Sequence, residues 1–323
     1  MTIGVAAHGP HAGAAVRAAA LAAELLGHGA IGGFAVFAVL DDDGRVQHAT
    51  VQRGGVTALD LPPAWLRAHH AALIESGPDR PEPLVQFLPG ADGVGLVTGH
   101  RLPNRPGADG APLNQAVLRR LAAGQAPDTA VAEVLRAHPE IDAGLIALSA
   151  DGRLAWGNTD RVARRPDQGQ AARDNGACRL ALLHNSIFPC PPLAQAMADL
   201  AWHALTGEAC AWRALSLRAP VAIQPGPRDR VHVDARLRVT AIEQADPSFP
   251  AARRRANAVY LGSEVWQDGR HIGHTVSELV VDMADGRVFG LPDPARSLIL
   301  MKESAHVPTV SYTHLTLPTN REV

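Results

Sequence analysis

The residue with the most chemistry to offer near the start of the chain is Thr2, in the opening stretch MTIGVAAHGPHAG. Removal of Met1 would leave Thr2 with both a side-chain hydroxyl and a free α-amino group. An α-amino group has a pKa of about 7.7 to 8.0, so its neutral form can take the hydroxyl proton and activate the oxygen as a nucleophile. The alternative is that Thr2 is simply the first residue of a buried strand. The residue type therefore allows nucleophilic chemistry but does not require it.

A second set of polar residues stands where an apolar run ends, in LLHNSIFP. His184, Asn185 and Ser186 follow a predicted strand, and functional side chains are often placed where a strand gives way to a loop. Asn and Ser are also ordinary turn residues that bond to nearby backbone. We predict that these three residues contact a substrate.

Two further pairs are candidates for the same site. Thr98 and His100 end the predicted strand of GVGLVTGHR, and their alternative role is to satisfy local hydrogen bonds. Gly54 and Gly55, in QRGG, let a backbone approach a ligand closely, and their N–H groups are predicted to stabilise an oxyanion beside Thr2. Both glycines are also ordinary residues at the end of a hairpin.

Pairs of metal-ligand residues raise the alternative of a metal site. The pairs are His8 with His11, His232 with Asp234, and His271 with His274. None has a third ligand at a diagnostic spacing, and the chain has no H-E-x-x-H motif. The glycine-rich GADGVG precedes a predicted strand rather than a helix, so no helix N-terminus would face a phosphate. We therefore predict no metal and no cofactor.

Composition argues against several classes of partner. The 323 residues are 46% hydrophobic and 4% aromatic, with 30 Lys and Arg against 32 Asp and Glu. The chain therefore has neither the basic field nor the stacking residues that nucleic acid binding needs. Its three cysteines form no even disulfide framework, and from the residue pattern we expect neither a signal peptide nor a membrane-spanning segment. We expect a cytoplasmic protein of about two domains, with no nucleic acid or membrane partner.

The elements that must position these residues follow a repeated order. Residues 2–7 form a predicted strand, an Ala-rich helix follows, and an Asp-Gly turn then marks a β-hairpin. The stretch from GVGLVTGHR to LAWGNT repeats strand, helices and hairpin, which indicates an internal pseudo-repeat that could pair within one chain or across a homo-oligomer. We predict a helix and a Pro-rich connection in residues 61–84, and a polar loop at 161–177. From Arg218 onward, alternating strands predict a β-rich part.

Two motifs resemble known proteins. The hairpin DAGLIALSADGRLAWGNT resembles that of the N-terminal-nucleophile (Ntn) hydrolases of the isoaspartyl peptidase type. The stretch from GVGLVTGHRLPN through LRRLAAGQAPDTAVAEVL is similar to an uncharacterised bacterial family of the same superfamily. The resemblance covers about residues 2–160, and it implies an α+β fold, a four-layer αββα sandwich, and amide hydrolysis by an N-terminal Thr, Ser or Cys. Where the isoaspartyl peptidases have a self-cleaving Thr, this chain has Asp142, which has no hydroxyl.

These observations lead to one predicted domain organisation, and to one predicted function with two alternatives. We expect an Ntn-like domain over residues 1–165 and a part at 166–305 that completes or flanks the sandwich. The tail at 311–323, SYTHLTLPTNREV, resembles translated sequencing-adapter read-through. The predicted function is a small-molecule amide hydrolase that uses Thr2. The alternatives are a non-catalytic binding or scaffold protein with the same fold, and a metal-dependent hydrolase.

Overall fold

The structure is a computed structural model that describes residues 1–28, 31–185, 188–189, 193–249, 253–291 and 298–304. Ser186 and the tail at 311–323 lie outside the described residues. Within these residues, none of the helices is long and apolar enough to cross a membrane. The chain has a mixed α and β architecture with several sheets, which confirms the predicted mixture of elements.

The first two thirds of the chain contain two large antiparallel sheets. Their strands and one small additional pair are β1 (Thr2–His8), β2 (Gly27–His28), β3 (Ala35–Leu40), β4 (Val46–Val51), β5 (His70–Ser76), β6 (Gly90–Ala91), β7 (Gly95–Arg101), β8 (Ala143–Ser149), β9 (Leu154–Asn158), β10 (Gln168–Asp174), β11 (Arg179–Asn185) and β12 (Phe188–Pro189). The six-stranded sheet has the order β10-β11-β1-β5-β3-β4, the four-stranded sheet has the order β6-β7-β8-β9, and β2 pairs with β12.

Helices cover the outer face of each large sheet. They are α1 (Ala12–Leu26), α2 (Pro63–Leu66), α3 (Leu113–Ala122), α4 (Pro127–Ala137), α5 (Asp160–Ala163) and α6 (Leu193–Thr206). Helices α1 and α6 pack against each other and on the six-stranded sheet, and the many alanines of α1 permit this close approach. Helices α3 and α4 share a separate core with the four-stranded sheet.

Strand β1 shows how one apolar strand serves two cores. Ile3, Val5 and Ala7 are buried with α1 and α6, whereas Ala6 belongs to the core between the two sheets. This alternation follows from the pleat, which points successive side chains to opposite faces. At Gly4 the sheets are so close that a methyl group would overlap the carbonyl oxygen of Gly99 in β7. Glycine at this position therefore allows the two sheets to meet.

Two segments differ from the sequence prediction. In residues 61–84 the helix is limited to the short α2, and His70–Ser76 form β5 between β1 and β3. The Ala, Leu and Glu residues of this stretch favour a helix, but a strand that is buried on both faces loses the apolar–polar alternation that would identify it. The loop predicted at 161–177 contains α5 and the edge strand β10.

The pseudo-repeat is present in element order but not in strand pairing. The series β1, α1, β3 and β4 is followed by β7, α3, α4, β8 and β9. Strand β8 pairs directly with β7, whereas β5 lies between β1 and β3. Strands β10 and β11 complete the six-stranded sheet, and α6 packs against α1. The first elements after residue 165 therefore complete the first sheet and its helix layer, and the ten-stranded sheet follows α6.

The β-rich part predicted from Arg218 onward forms a curled ten-stranded sheet with its own core. Its strands are β13 (Trp212–Ser216), β14 (Val221–Pro225), β15 (Arg230–Val233), β16 (Val239–Gln244), β17 (Arg254–Val259), β18 (Glu264–Gln267), β19 (Arg270–Thr275), β20 (Leu279–Ala284), β21 (Arg287–Gly290) and β22 (Leu298–Glu303). Their order is β13-β22-β19-β18-β15-β16-β14-β21-β20-β17. Trp212 and Leu300 join the core formed by α1 and α6, so this sheet rests on the helix layer.

Candidate functional site

One end of the interface between the two large sheets is polar. Strand β1 begins there, and its register places Thr2 between Ser76 of β5 and Asn185 of β11. Alternation along the strands turns these three side chains toward the four-stranded sheet, from which His100 meets them. All four residues are buried, with exposures of 3% for Thr2, 0% for Ser76, 5% for Asn185 and 0% for His100. We call Thr2, Ser76, Asn185 and His100 the polar cluster.

The hydroxyl groups of the polar cluster are linked to an arginine. Thr2 Oγ1 lies 3.5 Å from Ser76 Oγ. Ser76 Oγ donates to the carbonyl oxygen of Met1 and accepts from Arg80 Nη2 at 2.9 Å. The Arg80 guanidinium lies over the Phe34 ring, 5.8 Å from its centroid, in a cation–π arrangement. The start of β1 is therefore held beside a fixed positive charge.

His100 joins the polar cluster through side-chain amides. Its Nε2 lies 2.7 Å from Asn158 Oδ1, and its ring also has a side-chain hydrogen bond with Asn185. Asn158 Nδ2 donates to Gln168 Oε1 at 3.4 Å. Opposite His100 in β8 is Gly144, where a methyl group would overlap both the imidazole and the Asn158 amide. A chain of polar contacts therefore runs from the edge of the interface to the start of β1.

The surroundings favour neutral forms of the basic groups at this end. Burial is the main cause that lowers the pKa of His100 to about 4, so its imidazole is neutral at pH 7. Burial, followed by the charges of Arg80 and Arg101, lowers the pKa of the Met1 α-amino group below its ordinary value. A neutral imidazole and a neutral amine can each accept a hydrogen bond or a proton.

Arg101 follows His100 in an uncommon backbone conformation, with φ of +63°. Its Nε donates to Asp142 Oδ1 at 2.5 Å, and its Nη1 lies 3.8 Å from Asp167 Oδ2. Asp142 occupies the position at which the resemblance expects a self-cleaving Thr. In this chain that residue is an ion-pair partner of Arg101.

His184 faces away from the polar cluster. It is paired with Ile3, whose side chain packs toward the helices, and its ring lies against Gly169 of β10. Burial lowers the pKa of His184 to about 4. Ser186 lies outside the described residues, so Asn185 is the member of the predicted trio that the structure places beside Thr2.

Gly54 and Gly55 also lie away from Thr2. The N–H of Gly55 already donates to a backbone carbonyl at 2.9 Å. A Cβ on Gly55 would overlap the Glu24 carboxylate and lie close to that of Glu75. Glu75 precedes Ser76 in β5 and therefore points to the opposite, helix-covered face of the sheet. The expected position of the two glycines beside Thr2 is thus corrected, because the six-stranded sheet separates them from its hydroxyl.

Thr98 contacts the opposite sheet. It is fully buried, and its Oγ1 donates to the carbonyl oxygen of Leu73 in β5 at 2.9 Å. Its hydroxyl therefore links the two sheets two residues before His100, through a hydrogen bond between strands that are distant in the sequence.

Of the pairs considered as metal ligands, the structure brings the rings of His271 and His274 together, with centroids 4.6 Å apart, whereas members of the other two pairs have other neighbours. The His8 ring contacts the His70 ring, with centroids 4.7 Å apart, whereas His11 precedes α1. His232 Nε2 lies 3.0 Å from Glu243 Oε1. In the part of the chain that the structure describes, no three His, Cys, Asp or Glu residues are grouped as a metal ion would need.

An open cleft of about 650 Å³ lies between α4 and β9, and none of the four residues of the polar cluster lines it. Leu135 and Trp156, the latter 40% exposed, supply apolar surface. Asn158, the partner of His100, also lines the cleft. Its volume is in the range of sites that hold small molecules.

Sequence reasoning missed Ser76, Arg80 and Asn158. The first two belong to the segment predicted as a helix and connection, so the strand that ends at Ser76 was not anticipated. Polar residues directly after an apolar run, here Glu75 and Ser76 after AALI, are the same signal that identified Asn185. The contact of Asn158 with His100 spans 58 residues and has no local signal.

Comparison with protein families adds a classification to this geometry. The model of a domain of unknown function, DUF6963, matches residues 2–214, which include both large sheets, α6 and the polar cluster. A second domain of unknown function, DUF7259, matches residues 220–296, within the ten-stranded sheet. No curated protein matches the chain. Because the first match covers more than half of its length, the chain belongs to the DUF6963 family.

Proposed function

We propose that the protein is a small-molecule amide hydrolase whose nucleophile is Thr2, made N-terminal by removal of Met1. One observation carries this proposal. The Thr2 hydroxyl lies at the start of a buried strand and faces Ser76, Asn185 and His100 at the polar end of an otherwise apolar interface. Buried groups that converge in this way beside a nucleophile are typical of catalytic sites.

The order of the layers supports an Ntn-hydrolase-like αββα sandwich as the fold. Helices α1 and α6, the six-stranded sheet, the four-stranded sheet, and helices α3 and α4 follow one another through three successive cores. We propose that this arrangement is the sandwich implied by the resemblance, with Thr2 at one end of its central interface.

The proposed reaction has two steps. Thr2 Oγ1 attacks the carbonyl carbon of the amide while the Thr2 α-amino group takes the hydroxyl proton. The carbonyl oxygen becomes negatively charged and accepts a hydrogen bond from the side-chain amide of Asn185. The C–N bond then breaks, the leaving amine takes the proton, and an ester remains on Thr2. Water then attacks this ester, with the Thr2 α-amino group again acting as the base. This step releases the carboxylic acid and restores the Thr2 hydroxyl.

The charges near the start of β1 support the α-amino group as the base. The pKa of the Met1 amine is lowered by burial and by Arg80 and Arg101. A Thr2 amine would lie at the next position along the same strand, close to the same two positive charges, which disfavour its protonation. Ser76, which donates to the Met1 carbonyl, would then be available to orient this amine.

The contacts of Met1 favour a second candidate, a binding protein that retains this residue. Ser76 holds the Met1 carbonyl, and the half-buried Met1 side chain packs against the core of α1 and α6. With Met1 in place, Thr2 has no free amine and cannot be its own base. The cleft between α4 and β9 would then be the place for a small molecule to bind.

Intact-protein mass spectrometry of the full chain, with and without a β-lactone, separates the two candidates. The hydrolase predicts loss of one methionine and addition of one lactone at Thr2. Thr2→Ala should abolish the adduct and Thr2→Ser should preserve it. Peptide mapping distinguishes Thr2 from the half-buried thiol of Cys210. Retained Met1, or an adduct that persists in Thr2→Ala, would contradict the hydrolase and favour the binding protein.

A further inference from the structure

Strand β9 is an edge of the four-stranded sheet, and in the described part of the chain it pairs only with β8. The N–H of Ser149 donates to the carbonyl oxygen of Arg153, and that of Thr159 donates to the carbonyl oxygen of Ala143. Hydrogen-bonded pairs alternate along antiparallel strands, so the odd-numbered residues of β9 bond to β8. The even-numbered residues direct their N–H and carbonyl groups to the open side. They are Leu154, Trp156 and Asn158.

Two other sheet edges carry charges that β9 lacks. Strand β10, at the edge of the six-stranded sheet, ends with Arg173 and Asp174, and β17, at an edge of the ten-stranded sheet, begins with Arg254 and Arg255. Charged side chains protect an edge from pairing with another chain. Strand β9 has the sequence LAWGN, without a charge. Its edge is therefore open to a further strand.

The space beside this edge is bounded on two sides. Every residue of β9 lines the 650 Å³ cleft, together with one face of α4. Because successive side chains of a strand point to opposite faces, the cleft runs along the edge of β9 rather than over one face. On the side away from α4, Leu154 and Trp156 line a pocket of about 180 Å³ with residues of β10 and β11.

The two large sheets end at different places on this side of the molecule. Strand β9 lies against β11 and β1, and β10 is the next strand beyond β11. The six-stranded sheet therefore extends one strand further than the four-stranded sheet. A strand added to β9 would lie over β10. A second copy that approached with its own β9 would bring its own β10 to the same place, so the space fits a single extended segment.

The residues around this space are apolar on both sides. Ala132 and Leu135 of α4 line the larger cleft, whereas Trp156 and Leu180 line the smaller pocket. An added strand would point alternate side chains to the two sides. Large apolar side chains therefore fit toward α4, and smaller ones fit toward β10.

Charge distinguishes the two ends of the cleft. The N–H of Arg161 donates to the carbonyl oxygen of Pro139, so α4 ends beside the end of β9 and its first turn lies beside the start of β9. That first turn places Asp128 in the cleft, whereas Arg136 and Asp160 at the other end have opposite charges. A segment antiparallel to β9 complements this arrangement when a basic side chain near its C-terminal end meets Asp128.

We propose that the open edge of β9 binds an extended apolar peptide, which adds an antiparallel strand to the four-stranded sheet and places a basic residue beside Asp128. In this mode of recognition, main-chain hydrogen bonds supply affinity and the pockets for alternate side chains supply specificity. The inference does not depend on the reactivity of Thr2, and it holds for a hydrolase or for a binding protein.

The binding of a fluorescein-labelled peptide, Val-Leu-Val-Leu-Val-Lys-amide, to the full chain tests this proposal by fluorescence anisotropy. Its valines pair with the outward residues of β9 and point toward β10, and its leucines and lysine point toward α4. N-methylation of the middle valine removes a bonded N–H and should weaken binding by about tenfold or more, whereas N-methylation of a leucine should change it by less than about twofold. No binding of the parent peptide, or equal effects of the two methylations, would overturn the proposal.

Two variants of the chain test the edge and the charge. Trp156→Pro removes an outward N–H at a position where an edge strand tolerates proline, and Trp156→Val is its matched control because it keeps that N–H. The proline variant should bind about tenfold or more weakly than the valine variant. Asp128→Asn should weaken binding of the lysine peptide by about two- to fivefold and leave a peptide with serine in place of lysine unaffected. Equal binding by the proline and valine variants would contradict strand addition.

Hydrogen exchange of the unmodified chain tests the register without any variant. The peptide should slow exchange of the amides of Leu154, Trp156 and Asn158, and leave those of Ala155 and Gly157, which already bond to β8, unchanged. Peptide binding without this alternating protection would mean that the cleft takes apolar ligands by another mode, and it would overturn the proposal. A dimer that Trp156→Pro disrupts and Trp156→Val does not would assign the edge to a second copy instead.

Discussion

The two ends of the interface between the large sheets contain similar residues but differ in construction. Strand β1 begins at the polar cluster and ends at His8, which pairs with His70 of β5. The His8 and His70 rings contact each other, and His8 packs against Gly152 in the turn between β8 and β9. We call His8, His70 and Gly152 the histidine end.

The difference lies in what surrounds each imidazole. His100 has hydrogen bonds with two side-chain amides, those of Asn158 and Asn185. Among the described residues, His8 Nδ1 and His70 Nε2 are buried without a hydrogen-bond partner. Burial lowers the pKa of His70 to about 4, as it does for His100. The comparison teaches that burial alone produces a neutral histidine, whereas a site needs convergent donors and acceptors around it.

The largest expected effect comes from a substitution that separates the two large sheets and so disrupts both ends of their interface. Gly4→Ala places a methyl group against the carbonyl oxygen of Gly99, so the sheets must separate. Overpacking of this kind typically costs about 1–3 kcal/mol, and we expect the upper end or failure to fold, because the clash is with backbone. Urea unfolding measures the change.

The control is Gly290→Ala, a strand glycine in the ten-stranded sheet whose Cβ would make only ordinary contacts at 3.5 Å or more. It should change the free energy of unfolding by less than Gly4→Ala does. Equal stability of the two variants would mean that the sheets do not meet at Gly4.

Two matched glycine variants, one at each end of the interface, test whether the two ends differ in function. Gly144→Ala would push a methyl group into His100 and Asn158, and Gly152→Ala would push one into His8. Each should cost about 1–3 kcal/mol, for Gly152 partly because its φ is +83°. Only Gly144→Ala should also slow acylation of Thr2 by a β-lactone. Equal acylation rates in the two variants would remove the functional distinction between the ends.

The sequence predicted the parts of this arrangement that local pattern determines. Thr2 at a strand start, Asn185 at a strand exit and the two Asp-Gly hairpins follow from short apolar runs and turn residues. The strand that supplies Ser76 could not be predicted in this way, because a stretch buried on both faces shows no alternation and its Ala and Leu favour a helix. The faces of His184 and Gly55 depend on long-range strand pairing, which single motifs do not specify.

The smallest expected effect is a change in how stability depends on pH. His70 has a pKa of about 4 in the folded chain and about 6.5 when unfolded, so between these values the unfolded chain binds more protons. The stabilisation from neutral His70 is complete above pH 6.5 and is lost as pH falls toward 4. His70→Gln should therefore reduce the slope of unfolding free energy against pH by up to about 1.4 kcal/mol per unit.

Urea unfolding between pH 4 and pH 7.5 measures this slope, and His69→Gln, at the exposed neighbouring position, is the control. If His70→Gln and His69→Gln show the same slope of unfolding free energy against pH, the pKa of His70 is not lowered in the folded chain. Acylation of Thr2 at pH 7 should be unaffected by either change, since both residues belong to the other end of the interface.

The most direct test of the distinction between the two ends is a crystal structure of the full chain after reaction with a β-lactone. The account predicts an acyl group bonded to Thr2 Oγ1, with its carbonyl oxygen within hydrogen-bond distance of the Asn185 amide and the histidine end unmodified. An acyl group on another residue, or an unmodified Thr2 that still follows Met1, would contradict it.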